Sequence, residues 1–534
     1  MKYWLVRRSF IIIVMGVGIM LLFEKDQTSG SVTFTDVAVH DPSIIKVDDV
    51  YYIFGSHIEA AKSVDLMNWE TFTNGYTTLN NVLYDDLIKN LAPSFLWAGH
   101  NDSDCRGGFA VWAPEIFWNA HYVNHDGSKG AFMIYYSVSS TYIRSAIGFA
   151  VSKVIEGPYS YVDTIVYSGF TEAEAYDQYS EVNKQWTYTH LSSLIATGAL
   201  EDVNAEWFRG GAYHNAIYPN AIDANVFYDE QGKLWMSYGS WSGGIFLLKL
   251  DEETGRPVYP GIDSTTTDGR LVDRYFGTKI AGGHGQSGEG PYIIYDEKSG
   301  YYYLYVTYGW LGADGGYNIR VFRSEAPDGP YLDIKQVSAV LAFGDPNYTR
   351  GNKLLGNFMF MGEADSTVIR AGLGYVSPGH NSVLYDEAIK KQFLVFHTRF
   401  PYTNEMHQVR VHQLYLNEDH WPVVTPYRYG GESLRKVRNR EIVGKYQFIN
   451  HGSSISASIV ESLNIKLTQT GTITGDIEGT WQKTGDYFAE IVINDITYKG
   501  VFVEAWSESM NQFVMTFTAV SNRGISIWGS MYSK

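Results

Sequence analysis

The chain has 534 residues, which is more than one ordinary domain needs. Its 58 acidic residues outnumber 41 basic ones, giving a net charge of −17, and such a surface repels phosphate backbones and anionic membranes. We therefore expect no nucleic-acid partner. Aromatic residues make up 15% of the chain and there are 53 glycines, a composition typical of an all-β protein with many turns.

The first 31 residues have the order of a secretory signal. Basic residues precede an apolar run from 10 to 23, and a polar segment follows. A run of about fourteen apolar residues is short for a membrane span. No small-x-small triplet precedes Glu24, so an uncleaved N-terminal anchor stays open as the alternative. We expect an extracellular protein without membrane contact after cleavage, or one held at the membrane or wall if the segment is retained.

A short pattern recurs five times, and each copy is followed by a turn and an aromatic strand. The copies are His40-Asp41-Pro42-Ser43, Trp112-Ala113-Pro114-Glu115, Ile222-Asp223-Ala224-Asn225, Glu289-Gly290-Pro291-Tyr292 and Gly379-His380-Asn381-Ser382. Repeats of paired strands at long period are typical of a β-propeller. Five copies predict five blades, in a domain spanning 32–430.

The pattern changes after the last repeat. From residue 444 onward the sequence alternates in short hairpins, which predict a small β-barrel or sandwich. We assign it to a second domain, 431–534, and whether it binds polysaccharide or braces the propeller stays open. The longest gap between repeats holds an insertion, 168–216, which either shapes a site or decorates an edge.

Three of the five copies carry an acid at or beside one column. The equivalent ends of the innermost strands of a propeller meet around one axis, so Asp41, Asp223 and Glu289 are expected to face one opening. His380 lies in the same column. Carboxylates that face one cavity repel one another, and a fold tolerates this only where chemistry or a cation offsets the repulsion. The alternative for each acid is a capping role at a strand start.

Two carboxylates that flank a cavity are the apparatus of glycosidic-bond hydrolysis: one protonates the leaving oxygen, and the other activates water or attacks carbon. Glu289 has the longest reach and is expected among two aspartates, where a carboxyl group retains a proton, so it is the candidate general acid. Asp41 is the candidate base. Asp223 is then the third carboxylate, which keeps Glu289 protonated and positions it.

These residues resemble glycoside hydrolase family 43. The resemblance rests on His40-Asp41-Pro42-Ser43, Trp112-Ala113-Pro114-Glu115, Asn220-Ala221-Ile222-Asp223 and Ser287-Gly288-Glu289-Gly290-Pro291. The segment 238–247 is similar to the endo-1,5-α-L-arabinanase branch, in its larger secreted bacterial form with a C-terminal barrel. The resemblance implies a five-bladed propeller that hydrolyses internal α-1,5-L-arabinofuranosidic links of plant arabinan with inversion, with Asp41 as base, Glu289 as acid and Asp223 as modulator of the acid.

The resemblance also implies binding residues. The substrate contacts that it carries over are Asp41, Trp112, Gly148, Asn220, Ala221, Ile222, Asp223, Ser240, Trp241 and Ser242. Trp112 and Trp241 are the candidates for stacking on sugar faces. His380 would bind one calcium ion near the propeller centre, and because imidazole is a poor calcium ligand, that ion must be mostly water-coordinated.

Two alternatives to this function remain. An exo-acting α-L-arabinofuranosidase or β-xylosidase of the same family would need loops, such as the 168–216 insertion, to close one end of the cleft. A non-catalytic carbohydrate-binding propeller would be favoured by the loss of one acid, and all three are present. Glu115, where the family more often has Asp, is expected to be structural. The expected partners are arabinan and arabino-oligosaccharides, and we expect a monomer.

Overall fold

The computed structural model describes residues 32–361 and 374–534. The predicted signal or anchor, 1–31, lies outside these ranges. Within them the α-helices are short: Leu87–Asn90 (α1), Ala92–Phe95 (α2), Leu191–Ala196 (α3) and Asn439–Ile442 (α4). Single 3₁₀ turns lie at Ser56–Ile58, Ser103–Cys105, Trp186–Tyr188, Ala205–Trp207 and Asn347–Thr349. Within the described ranges, no helix has the length and apolar character that crossing a membrane requires.

The first two sheets each consist of four consecutive antiparallel strands. The first contains Ser43–Val47 (β1), Val50–Gly55 (β2), Glu59–Ser63 (β3) and Glu70–Thr71 (β4). The second contains Val111–Val123 (β5), Lys129–Ser139 (β6), Ser145–Ser152 (β7) and Ser160–Ser168 (β8). The recurrent pattern of the sequence lies at the start of β1 and of β5, the first strand of each sheet.

The third sheet is larger. The insertion before it contains α3 and a hairpin of Phe208–Arg209 (β9) and Ala212–Tyr213 (β10). The sheet has seven strands: Asn225–Tyr228 (β11), Leu234–Tyr238 (β12), Ile245–Leu250 (β13), Pro257–Val258 (β14), Ser264–Thr265 (β15), Leu271–Asp273 (β16) and Gly277–Ala281 (β17). Their order is β11-β12-β13-β17-β16-β15, and β14 also pairs with β13.

The last two propeller-like sheets return to four consecutive strands. One contains Glu289–Asp296 (β18), Tyr301–Tyr308 (β19), Asn318–Ser324 (β20) and Asn352–Leu355 (β21). After the short strand Phe358–Met359 (β22), the other contains Gly374–Asp386 (β23), Lys391–Arg399 (β24), His407–Leu416 (β25) and Pro422–Val424 (β26). β22 pairs with the edge strand β23 and extends this sheet.

The C-terminal region is a closed eight-stranded barrel. Its strands are Gly444–Asn450 (β27), Leu463–Leu467 (β29), Thr472–Gly475 (β30), Gly479–Lys483 (β31), Phe488–Ile493 (β32), Ile496–Ser507 (β33), Gln512–Ser521 (β34) and Ser526–Ser533 (β35). A short strand, Val460–Glu461 (β28), lies between β27 and β29 in the chain. β28 is not part of the barrel, because it pairs in parallel with β22. This strand joins the barrel to the last propeller-like sheet.

A buried polar contact also connects the two regions. The ammonium group of Lys353 in β21 donates to the carbonyl oxygens of His451 and Ser454, each at 2.9 Å. The Asn357 amide donates to the carbonyl oxygen of Ala457 at 3.0 Å. The chain between β27 and β28 is therefore held against the fourth and fifth sheets.

The predicted all-β fold, a propeller-like arrangement followed by a barrel, is confirmed. The blade count differs from the predicted five, because four sheets have the regular form of four consecutive antiparallel strands: β1–β4, β5–β8, β18–β21 and β23–β26. The third repeat opens the seven-stranded sheet instead, since the chain adds β14, β15 and β16 before the strand β17 that pairs with β13.

The first strands of the five sheets lie around one axis. β1 contacts β5, β5 contacts β11, β11 contacts β18, β18 contacts β23, and β23 contacts β1 again. All five line a cavity of about 1040 Å³, and the residues of these strands that line it come after the acidic column in the chain. The N-terminal ends of these strands therefore converge at one end of the axis.

Candidate active site

One backbone position in each repeat copy has a positive φ angle. The values are 51° at Asp41, 35° at Ala113, 60° at Asp223, 58° at Gly290 and 42° at His380. Residues other than glycine rarely adopt this region, so four such residues at matched positions indicate a common backbone turn. The strand register also shifts beside this position in β5, β18 and β23, as in a β-bulge. The repeat column of the sequence is thus a structural column at the axis.

Each sheet supplies a side chain to the column residue of the next. The pairs are Ala113 N to Ser56 Oγ at 2.8 Å, Asp223 N to Ser137 Oγ at 3.1 Å, His380 N to Thr307 Oγ1 at 3.0 Å and Asp41 N to His397 Nδ1 at 3.2 Å. The last pair joins the fifth sheet to the first. The column is therefore a closed ring of hydrogen-bonded backbone amides.

The fourth sheet departs from this pattern because the matching residue of the third sheet is Gly239, which has no side chain. The N–H of Gly290 donates instead to Oδ2 of Asp223 at 3.2 Å. A Cβ atom at Gly239 would lie 2.4 Å from the carbonyl oxygen of Gly244, so no larger residue fits without a shift. Asp223 thus takes the place of the missing side chain, and this bond fixes one of its carboxylate oxygens.

Asp41 lies among three imidazole rings and one hydroxyl group. The Nδ1 atom of His40 is 2.8 Å from Oδ2, and the Nδ1 atoms of His380 and His397 are 3.3 and 3.6 Å from Oδ1. Ser56 Oγ donates to Oδ2 at 2.5 Å. Burial acts to raise the pKa of Asp41, but His40 and then His380 outweigh it and hold that pKa well below its usual range. Asp41 is therefore held as the carboxylate, the form that a general base requires.

The histidines beside Asp41 pack on one another. The rings of His40 and His397 stack with their centroids 3.7 Å apart. Burial, followed by the nearby His40, lowers the pKa of His397 well below its usual range, so this ring is neutral. Its Nε2 atom is buried and has no hydrogen-bond partner among the described residues.

Asp223 has the opposite electrostatic character from Asp41. It is 5% exposed, and burial, then the negative charge of Glu289, then that of Asp41, raise its pKa well above the usual range. Among the described residues, one contact offsets this effect: the hydrogen bond from the N–H of Gly290, which lowers the pKa of Asp223. Two aspartates in the same repeat column therefore favour different protonation states.

Glu289 is half-buried and accepts three hydrogen bonds. Ser240 Oγ and Trp241 Nε1 donate to Oε2 at 2.8 and 3.0 Å, and the hydroxyl group of Tyr317 donates to Oε1 at 2.5 Å. Both oxygens are held, so the carboxyl group has a fixed orientation. Ser240 and Trp241 follow β12, which explains how the third sheet reaches the first residue of the fourth.

Most of the other predicted binding residues lie close to these acids in the chain or in space. Trp112 is half-buried, and its ring centroid is 5.0 Å from that of His57. The side chain of Asn220 and the N–H of Ala221 both contact Ser168 Oγ, at 3.3 and 2.9 Å.

Backbone contacts fix the remaining two of these residues. The carbonyl oxygen of Ile222 accepts from Gly239 N at 2.9 Å, and that of Ser242 accepts from Gly285 N at 2.8 Å. These backbone hydrogen bonds therefore fix Ile222 and Ser242, which are next to Asp223 and Trp241 in the chain.

Gly148 lies elsewhere. It is buried in β7, where an added Cβ atom would lie 2.6 Å from the hydroxyl oxygen of Tyr136 and 2.8 Å from Ser94 Oγ. No contact among the described residues connects it with the three carboxylates. Close packing inside the second sheet accounts for this glycine.

Four residues of the site were not predicted from the sequence: Ser56, Ser137, His397 and Tyr317. Three of them follow one rule, because the residues at or after the end of each aromatic second strand form a second repeat column with Thr307. Aligning those strands as well as the first ones would have found them. Tyr317 lies outside both columns, and nothing in its sequence context indicates its contact with Glu289.

The donors around His380 allow a test of the predicted calcium site. His380 Nδ1 faces Asp41, and among the described residues the donor atoms of His40, Asp41 and His397 lie within 4.8 Å of one another. This set offers imidazole nitrogens and one carboxylate, whereas calcium takes six to eight oxygen ligands. The residues fit a calcium ion only if water supplies most of its ligands.

A propeller-like scaffold with three carboxylates in distinct environments at its axis has the features of a glycosidic-bond hydrolase. The family model for glycosyl hydrolases family 43 matches residues 179–422, and the family's model for a C-terminal lipocalin-like domain matches residues 426–529. An extracellular endo-α-(1→5)-L-arabinanase from Thermotoga petrophila is 42% identical over 505 residues, covering 93% of this chain and 94% of that protein. The chain belongs to glycoside hydrolase family 43.

Two further comparisons agree with this assignment. Extracellular endo-α-(1→5)-L-arabinanase 2 of Bacillus subtilis is 39% identical over 505 residues, covering 93% of each chain. The crystal structure of an endo-1,5-α-L-arabinanase from Thermotoga petrophila RKU-1 superposes with a TM-score of 0.77 at 40% identity, covering 94% of this chain and 100% of that one. The similarity thus includes both the propeller-like sheets and the barrel.

Proposed function

We propose that the protein is an extracellular endo-1,5-α-L-arabinanase, which hydrolyses internal links of arabinan with inversion of configuration. The main observation behind this proposal is that the two acids at the axis have different environments. Histidines and Ser56 hold Asp41 as a carboxylate, whereas three hydrogen-bond donors fix the orientation of the Glu289 carboxyl group. The names of the two relatives support the substrate, the endo mode and the extracellular location.

In this mechanism a water molecule attacks the anomeric carbon. Asp41 accepts a proton from that water, while Glu289 donates its proton to the leaving glycosidic oxygen as the carbon–oxygen bond breaks. The products are a sugar hemiacetal of inverted configuration and a shortened chain with a free hydroxyl group. Inversion requires roughly 6.5–9.5 Å between the two carboxyl groups, which leaves space for the water. Asp223 and Glu289 cannot both be ionised at low cost, so the pair retains a proton, and Asp223 also positions Glu289 through its bond to the N–H of Gly290.

We further propose that the seven-stranded sheet is the third of five blades, in a catalytic domain of 32–430 that is followed by a barrel domain of 431–534. Its first strand, β11, occupies one of five successive positions around the axis, and Asp223 has the same backbone turn as the other four column residues. Three strands added at the outer part of a blade leave the inner strand and the site unchanged.

The calcium ion is also a proposal. His380 would hold it, with Asp41 adjacent and water as the main ligand. A bound cation would supply positive charge that lowers the cost of bringing the carboxylates together. Adding calcium to the chelator-treated protein should raise the unfolding temperature, and His380→Gln should remove that response. An equal response in the variant would reject His380 as a ligand.

The experiment that tests the function is the product distribution over time on debranched linear arabinan. An endo-acting enzyme releases oligomers of mixed length early, whereas an exo-acting arabinofuranosidase releases monomer throughout. Glu289→Gln should reduce the rate by a factor of about 10³ or more, because it removes the transferable proton. Glu387→Gln is the matched control, since the side chain of Glu387 is 74% exposed and pairs with the exposed Lys390.

Each remaining outcome has a definite meaning. Monomer as the sole early product would favour the exo-acting alternative. Absence of hydrolysis with retained arabinan binding would favour a non-catalytic propeller. Full activity in Glu289→Gln would reject Glu289 as the acid. Sedimentation of the native chain would test the proposal that it is a monomer.

A further inference from the structure

Three tyrosines near the second sheet are unusually exposed for aromatic residues. Tyr142 is 43% exposed, Tyr176 is 52% exposed and Tyr179 is 64% exposed. Tyr142 belongs to the turn between β6 and β7, and the other two belong to the 168–216 insertion. We call these three residues the tyrosine rim. The proposed chemistry of the three carboxylates does not involve them.

The tyrosine rim lies at the catalytic end of the sheet. β5 begins at Val111, next to the column residue Ala113, and Val111 pairs with Val138 at the end of β6. Ser139 then pairs with Ser145, and Ser145 pairs with Ser168. The turn after Ser139 and the insertion after Ser168 therefore leave the sheet at the edge where the column lies.

A buried guanidinium group fixes the insertion to this edge. The side chain of Arg144 is 0% exposed, and it contacts Asp177 at 2.9 Å, Asp102 at 3.1 Å and Ser180 at 3.2 Å. Lys184 also contacts Asp177, at 2.6 Å. A buried charge requires well-formed partners, and here two of the partners come from the segment that carries Tyr176 and Tyr179. The segment is thus held in one arrangement on the second sheet.

Two of the rim tyrosines are joined through one amide group. The hydroxyl group of Tyr142 donates to Gln178 Oε1 at 3.2 Å, and Gln178 Nε2 donates to the hydroxyl oxygen of Tyr179 at 2.6 Å. These bonds orient both rings without burying them. A surface that is already ordered loses less conformational entropy when it binds a ligand.

The charges around the rim favour a neutral ligand. Arg144 is buried and paired, and Lys184 is half-buried and paired with Asp177. Between residues 170 and 185, where Tyr176 and Tyr179 lie, the exposed charged residues are acidic: Glu172, Glu174 and Glu181. The exposed basic residue of the insertion, Arg209, lies further along, in β9. Such a surface repels an anionic polymer, whereas exposed aromatic rings with nearby polar groups suit the C–H faces and hydroxyl groups of a neutral sugar chain.

We propose that the tyrosine rim is a sugar-binding site distal to the cleavage point, which holds a neutral polysaccharide chain that extends from the catalytic carboxylates. The proposal rests on the proposed function, because it takes the same chain as ligand. In this proposal the 168–216 insertion binds long chains and does not close the cleft. The enzyme should therefore act better on polymeric than on short substrates.

The test compares the double variant Tyr142→Ala/Tyr179→Ala with Tyr385→Ala, whose tyrosine is 40% exposed near the opposite end of the inner strand β23. For the double variant, the ratio of kcat/KM on linear arabinan to kcat/KM on arabinotriose should fall about tenfold, mainly through KM on the polymer. Tyr385→Ala should leave this ratio unchanged. Tyr142→Phe/Tyr179→Trp, which keeps the aromatic faces, should restore most of it. An unchanged ratio in the double variant would reject the proposal.

A binding measurement separates this proposal from the proposed function. In a Glu289→Gln background, linear arabinan in a native gel should retard the protein, and the double variant should be retarded less. Polygalacturonate, an anionic polymer, should retard neither. Equal retardation of both proteins by arabinan, or strong retardation by polygalacturonate, would overturn the rim as a neutral-sugar site. Loss of hydrolysis in the native chain would reject the proposed function, while rim-dependent retardation would still support the rim. Unchanged thermal unfolding of the variants confirms that they are folded.

Discussion

Two polar layers lie one below the other along the axis, and the same five inner strands build both. The upper layer is the repeat column with its three acids and His380. The lower layer is formed by the residues two positions further along: Ser43, Glu115, Asn225, Tyr292 and Ser382. The lower layer is polar in all five copies, whereas the column itself has Ala113 and Gly290 in two of them. The upper layer nevertheless has the features of a catalytic site, and the lower layer has those of packing.

The difference lies in how many charges each layer contains and how completely they are satisfied. In the upper layer the pKa of Asp41 is lowered and that of Asp223 is raised, so neighbouring acids differ in protonation. The lower layer has one acid, Glu115, which accepts from Ser43 Oγ at 2.6 Å, Asn225 Nδ2 at 3.1 Å and Val226 N at 3.3 Å.

Those contacts join three sheets at Glu115, and burial raises its pKa to about 8. A single, hydrogen-bonded, protonated acid connects sheets, whereas several unequal acids can exchange protons with a substrate.

The largest expected effect is in the upper layer. Asp41→Asn keeps the size of the side chain but removes its basicity, so kcat/KM on arabinan should fall by a factor of about 10³ or more. The unfolding temperature should change little. Initial rates and thermal unfolding measure the two quantities, and a rate within tenfold of the native value would contradict the assignment of Asp41 as base.

The corresponding change in the lower layer should affect stability first. Glu115→Ala leaves three buried polar groups without their acceptor and opens a cavity, which should cost about 3–5 kcal/mol of unfolding free energy. Denaturant unfolding measures it. Glu387→Ala, on the exposed surface, is the control and should change stability by less than about 0.5 kcal/mol. If Glu115→Ala lowers the free energy of unfolding no more than the control does, the lower layer has no structural role.

The dependence of stability on pH sharpens the same contrast. The pKa of Glu115 is about 8 in the folded protein against an ordinary 4.5, so the folded state binds the proton more tightly. Its contribution to stability is full below pH 4.5 and is lost as the pH rises through 8. Glu115→Gln does not titrate, so its stability relative to the native chain should increase over this range, by up to about 1.4 kcal/mol per pH unit. Parallel stability curves for the two proteins would refute the buried, protonated state.

The smallest expected effect concerns a residue that supports the upper layer. Tyr317→Phe removes one of the three donors to Glu289 and keeps the ring, so kcat should fall about tenfold or less, with little change in KM. The pH profile of kcat should change with it, whereas loss of a purely structural contact would leave that profile unaltered. Trp241 and Ser240 would continue to hold the other oxygen. An unaltered profile would limit Tyr317 to packing.

The sequence allowed the inner column to be predicted because its residues repeat, and the repeat reflects a shared backbone turn. It did not predict the seven-stranded form of the third sheet, since two- and three-residue strands such as β15 and β16 have too few residues to show an alternating pattern. Tyr317 and Arg144 were missed for another reason: their partners, Glu289 and Asp177, are set by tertiary packing of loops. Gly148 lies in the packed strand β7, and its contact with substrate stays a prediction.

The bond from Asp41 N to His397 spans 356 positions of the chain, and Ser382 Oγ reinforces the same junction by donating to the carbonyl oxygen of Pro42 at 2.7 Å. The single cysteine, Cys105, allows no disulfide within the chain to hold these ends together. Contacts so distant in sequence carry a large loop-closure entropy and form late. The first and last propeller-like sheets must therefore meet before Asp41 contacts His380 and His397. A chain still being synthesised or exported lacks the assembled base, and the enzyme becomes competent only when the sheet β23–β26 has docked.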